Sequence, residues 1–245
     1  MNSKLAIGGF GCLLLAASFL WAAEVWEEKA YTEWSQREVQ KVFQDSPWAR
    51  QVRILSGGFD FERPGPPRPP SGQQGGPTIP GAGDEPAGPD ADISQRREAR
   101  KVFLVQWASS LTIRQARVRL AQIQGRDVTE QQIEQYLSTT PASYEIAVFG
   151  PDMQPFEATS EEAVKKSATL KLKESDREIP AAQVSYQRQG DRLVAVQLFF
   201  PREQDGDSLI TQEEEKVRFS CDSSGATIST EFDLDKMTRD GELDI

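Results

Sequence analysis

The sequence predicts an α+β fold, with an antiparallel β-sheet and several short helices packed on one face. Three observations lead there. The last third of the chain reads as strands joined by short Gly-containing turns, in QVSYQRQGDRLVAVQLFF and KVRFSCDSSGATISTEFDL. Capped helical stripes occupy the stretches before it. With the leader set aside, a single cysteine, Cys221, remains, so no bridge within the chain is available and the core must hold by burial.

Taken in order, Lys4 precedes an apolar run from Leu5 to Ala23, and Glu24 follows at once. That is the pattern of a signal peptide, with small-residue exits at Ala16-Ala17-Ser18 or Trp21-Ala22-Ala23. The run is also close to bilayer length, so an uncleaved anchor is the alternative. Cys12 lacks the approach of a lipoprotein site. Residues 1–23 are thus read as signal peptide or anchor, and the rest as exported: periplasmic, extracellular or envelope-associated.

Ser35 with Glu38 forms a capping box before the stripe Val39, Val42, Phe43. Asp45-Ser46-Pro47 ends that helix, and Arg50–Leu55 reads as a strand. Between Gly57 and Asp92, nine glycines and nine prolines fill half of the positions. Too few apolar residues remain to offset the cost of ordering, so this stretch reads as disordered. The piece before it is too short to fold alone, yet it carries Trp26, Trp34 and Trp48. Residues 24–245 are therefore expected to form one domain interrupted by a disordered Gly/Pro-rich insertion at 57–92. The insertion contains Arg63-x-x-Pro66-x-x-Pro69, a polyproline recognition pattern that proline-rich stretches produce readily by chance; a spacer is the preferred reading.

A largely apolar strand follows at Lys101–Ala108. Thr112 with Gln115 is expected to open a helix with the stripe Ile113, Ala116, Leu120, Ile123, ended by Gly125. Thr129 with Gln132 opens another, carrying Ile133, Tyr136 and Leu137. The strand SYEIAVFG, a helix near Glu161–Ser167 and the strand ATLKLKE complete the approach to the β-rich third.

Charge is uneven. Residues 93–126 carry eight basic side chains against Glu98 alone, while residues 127–245 are strongly acidic. SQRREARK with Arg114, Arg117 and Arg119 could be a nucleic-acid or anionic-lipid footprint. It lacks interleaved exposed aromatics, so a face solvated or turned to its own acidic neighbours is preferred, and nucleic acid is not indicated.

The chain has no histidine. That removes Ser-His-Asp and Cys-His catalysis and histidine-ligated zinc. No Gly-x-Ser-x-Gly, Walker loop or dinucleotide fingerprint occurs. Carboxylates remain: Asp205 and Asp207, Glu213 to Glu215, Asp233 and Asp235, and Asp240 with Glu242 and Asp244. A pair of acids can hydrolyse glycosides unaided, but these crowd loops, where a solvated surface is the ordinary explanation. In PREQDGDSLITQ, aligning Gly206 with an EF-hand glycine puts Pro201 and Gln212 at ligand positions, which excludes that motif and leaves only an irregular calcium site open. Trp26, Trp34, Trp48 and Trp107 are read as core in preference to a carbohydrate platform. Cys221 alternates with Val217 and Phe219 and is read as buried, in preference to a reactive or intermolecular thiol.

EWSQREVQKVFQDSPWARQV, FLVQWASSLTIRQAR and FDLDKMTRDGELDI resemble an uncharacterised group of exported proteins from acidobacteria. The resemblance implies an exported bacterial protein and supplies no activity or site. The expectation is a non-catalytic binding or structural protein of the envelope, with an envelope protein as its possible partner, and with no cofactor, metal or catalytic residue to nominate. A histidine-independent carboxylate hydrolase and a signal-anchored envelope protein are the alternatives; the membrane would be touched only through an uncleaved N-terminal segment.

Overall fold

The computed structural model describes residues 24–54 and 101–245. The signal or anchor run, the Gly/Pro-rich stretch 57–92 and the polyproline pattern lie outside them. The fold is α+β with antiparallel sheets.

The first part comprises a short helix α1 (Val25–Glu28), helix α2 (Gln36–Gln44) and strand β1 (Ala49–Ile54). Glu38 makes the expected box: its carboxylate accepts the Ser35 N–H at 2.7 Å, and the Glu38 N–H reaches Ser35 Oγ at 3.4 Å. The second part begins with β2 (Lys101–Trp107), α3 (Leu111–Ile123), α4 (Glu130–Ser138) and β3 (Ser143–Phe149). It continues through α5 (Gln154–Glu157), α6 (Glu161–Ser167), β4 (Thr169–Leu172), β5 (Glu178–Pro180), β6 (Gln183–Gln189) and β7 (Arg192–Pro201). The hairpin β8 (Glu203–Gln204) and β9 (Asp207–Ser208) follows, then β10 (Lys216–Ser223), β11 (Ala226–Asp233), β12 (Thr238–Arg239) and β13 (Glu242–Leu243).

The antiparallel strands divide between two larger sheets, with aromatic contacts from one to the other. Five strands run in the order β1-β2-β3-β7-β6 and four in the order β11-β10-β4-β5, with every pairing antiparallel. The reason lies in the alternation. Tyr144, Ile146 and Val148 of β3 and Val217, Phe219 and Cys221 of β10 are all buried, so each sheet has an apolar inner face to cover. Each inner face is met by the other sheet. Trp107 meets Phe232 edge-on at 5.2 Å, and Phe200 meets Phe219 at 6.3 Å, both across the gap. Helix α6 packs against β6 of one sheet and β10 of the other.

Strand β1 pairs with β2, placing Ile54 opposite Lys101. Residues 24–54 thereby join the core of the rest: Trp26, Trp34, Trp48, Val39 and Val42 are buried in one cluster with Ile113, Ala116 and Trp107. Helix α2 packs on β1 and α3, and α4 packs on α3. In the β6–β7 hairpin Gly190 takes φ +60°, a conformation glycine adopts without a Cβ penalty.

The cap of helix α3 lies two residues before the expected one. Ser110 is the N-cap, accepting the Ile113 N–H at 3.2 Å. Thr112 instead lies inside the helix and donates its hydroxyl to Asp244 at 2.6 Å. The Asp244 carboxylate also accepts the N–H groups of Leu111 and Thr112, and the Ser110 N–H goes to the Trp107 carbonyl at 3.3 Å. All of the amide donors that a helix start leaves over are thus satisfied. An acid from the far end of the sequence does half of that work, which no local pattern could reveal. The Asp244 backbone is held in turn, its carbonyl accepting Trp48 Nε1–H at 2.6 Å.

Candidate functional site

The structure places the sequence candidates mostly in structural roles. Trp26, Trp34, Trp48 and Trp107 are all buried, which overturns a carbohydrate platform. Cys221 is buried in β10, and burial pushes its thiol pKa far up, leaving it without thiolate character. The acids do not converge. Asp205 and Asp207 sit exposed in the β8–β9 hairpin, Asp233 pairs with Lys236 at 3.0 Å, and Asp240 occupies the β12–β13 turn. Glu214 is buried and accepts the Glu174 N–H at 3.2 Å, while Glu174 accepts the N–H of Glu215 at 3.0 Å. These contacts bind a turn to a strand end. Among the described residues no group of three or more acids and cysteines is placed to hold a metal, and no helix is long and apolar enough to cross a membrane.

Of the basic stretch, residues 94–100 lie outside the described residues, and Arg114 and Arg119 lie on α3. Arg119 donates from Nε to the Trp34 carbonyl at 2.7 Å, tying α3 to the first part of the chain. Arg114 is different. Only 6% exposed, it points into an open cleft of about 470 Å³ between α3, α4 and the start of β3. Ala108, Ser109 and Arg114 form one wall, Gln132, Gln135, Tyr136 and Thr139 of α4 and its exit form the second, and Pro141 and Glu145 close the third. The volume falls in the range of small-molecule sites.

Local folding explains the geometry. The capping box of Thr129 and Gln132 starts α4, so that Gln132, Gln135 and Tyr136 recur along one helical face. The helix was expected to carry Ile133, Tyr136 and Leu137. No residue of α4 is in fact buried, and Tyr136 is 41% exposed. Its ring lies 4.9 Å from the Arg114 guanidinium, a cation–π contact that covers one face of the cation. Ser109 Oγ accepts the Glu145 N–H at 3.1 Å, fixing the third wall against the first.

Charge at this end is mixed, with Arg114 and Arg202 beside Asp244 and Glu145. Among the described residues Arg114 has neither a hydrogen-bond acceptor nor an acid within ion-pair distance. Arg202 lies nearby, stacked over Tyr144 at 4.6 Å and donating to the Ile245 carbonyl. Burial above all, and also the Arg114 charge, hold the Arg202 pKa below its ordinary value. Both oxygens of the neighbouring Asp244 carboxylate are already engaged by α3.

Sequence reasoning missed this site. Its only trace was an arginine beside the stripe residue Ile113 and a tyrosine in a second stripe whose fellow members Ile133 and Leu137 are only half-buried. No family model matches the chain, and no curated protein or solved structure is similar to it.

Proposed function

We propose that this chain is a non-catalytic binding protein acting outside the cytoplasm, and that the Arg114 cleft is its ligand site. One observation carries the reading: Arg114, 6% exposed as a residue, lines a cleft, and its guanidinium has no acceptor among the described residues. Tyr136 covers one face of that guanidinium, and the donors left over open to the cleft, where an acceptor can take them up. The cleft walls contain one carboxylate, Glu145, whereas glycoside hydrolysis by acids requires two. Export is supported by the Lys4 to Glu24 leader pattern. An envelope protein as partner rests on that same pattern.

The test is an NMR fragment screen on the isotope-labelled 24–245 chain. Hits are expected to shift the signals of Ser109, Arg114, Tyr136 and Glu145 together. Hits that scatter over the surface, or that leave these four unmoved, contradict the assignment of the site.

A further inference from the structure

We infer that the cleft takes a zwitterionic ligand of the amino-acid or dipeptide class, its carboxylate on Arg114 and its ammonium on Glu145; this rests on the cleft being the ligand site. Two charged residues on different walls of the cleft lead there. Tyr136 covers a face of the guanidinium, and stacking of that kind leaves the edge, with its fork of N–H donors, free for a planar acceptor. A carboxylate matches that fork with two parallel hydrogen bonds.

Glu145 is the second determinant. It is half-buried in the wall formed by the start of β3, and its own backbone N–H is fixed by Ser109. No described lysine or arginine lies within ion-pair distance of its carboxylate. The cleft thus presents one cation and one anion that do not pair with each other. A phosphate or another polyanion would gain Arg114 but be repelled by Glu145, with no second cation on the walls to compensate. A monocarboxylate alone would leave Glu145 without a partner. A ligand bearing both charges satisfies both groups. The amides of Gln132 and Gln135 and the hydroxyl of Thr139 supply the mixed donors and acceptors that a peptide unit requires.

The experiment is a titration of the labelled 24–245 chain with the standard amino acids singly and with Gly-Xaa dipeptides, followed at Arg114 Nε–H and at the Tyr136 and Glu145 amides. Each binder is then compared with its N-acetyl and its carboxamide form, and inorganic phosphate is added separately. At least one zwitterion is expected to bind. Blocking either end is expected to weaken it about tenfold or more, the worth of one charge-assisted hydrogen bond. Glu145→Gln is expected to weaken the parent compound and leave its N-acetyl form unchanged. Arg114→Lys, which keeps the charge but loses the fork, is expected to weaken both. An N-acetyl form that binds as tightly as its parent, or phosphate that outcompetes every zwitterion, overturns the inference while leaving the cleft as a binding site. No response to any amino acid or dipeptide also overturns it. Fragment hits in the same cleft would then show that the broader reading survives on its own.

Discussion

Replacing Asp244 by alanine is expected to be among the most damaging single changes in this protein, although the residue lies far in sequence from the helix it supports. The residue is 7% exposed, and its carboxylate accepts three hydrogen bonds, from the Leu111 N–H, the Thr112 N–H at 3.0 Å and the Thr112 hydroxyl at 2.6 Å. Hydrogen bonds to a charged acceptor contribute about 1.5–3 kcal/mol each, which bounds the loss above at roughly 5–9 kcal/mol. The segment carrying Asp244 can shift and admit water to the exposed donors, so the expected loss is about 3–5 kcal/mol. Asp244→Asn retains one acceptor oxygen and is expected to cost about half as much. Thr112→Val removes only the hydroxyl and is expected to cost about 1 kcal/mol. Urea unfolding followed by tryptophan fluorescence reads these values, since Trp48 donates to the Asp244 carbonyl and reports any release of the segment. The double variant is expected to show a coupling of about 1 kcal/mol, as partners in direct contact do. A loss below roughly 0.5 kcal/mol for Asp244→Ala, or strict additivity with Thr112→Val, would refute the claim that this carboxylate caps α3.

Three further outcomes follow from particular contacts. Gly150→Ala places a Cβ 2.9 Å from Phe103 Cδ1 and 3.2 Å from Met153 Sδ, so a drop in stability of about 1–3 kcal/mol is expected in thermal melts. Glu38 is held down to about 2, first by Lys29 and then by the Ser35 donors, so its contribution is full above the ordinary carboxylate range near 4.5 and is lost as pH falls through about 2. Glu38→Gln is expected to remove that part of the acid dependence and to cost about 1 kcal/mol at neutral pH; urea unfolding across the acid range measures both. Cys221, buried in β10, is expected to react with a thiol reagent in the 24–245 chain only at the rate of unfolding, and fast labelling under native conditions would contradict its placement.

The legible parts of the fold were those written in local chemistry. The Ser35–Glu38 box, the hairpin around Gly190 and the alternation of Val217, Phe219 and Cys221 each specify an element within a few residues, and each element is where the sequence placed it. Burial of four tryptophans was legible for the same reason. Two things were not. The start of α3 depends on Asp244, and a cap supplied from so far along the chain leaves no spacing to read. The cleft was hidden because Tyr136 obeys the helical period of an apolar stripe while facing an open cleft and a cation. Periodicity reports which face a residue shares, and it cannot tell whether that face meets a core or a site. Arg114 carries the converse lesson: its burial contradicts its residue type, and such contradictions gather at functional positions.

The central claim is that Arg114 is held in the cleft to receive an anionic group and does not merely pin α4 to α3. Titrating acetate, the simplest carboxylate, against the Arg114 Nε–H signal tests it most directly. A saturable shift, shared by Tyr136, absent at Arg119 and lost in Arg114→Lys, is the expected result. An Arg114 signal that does not move with acetate, or that moves no differently from Arg119, would contradict the account and reduce the contact with Tyr136 to packing.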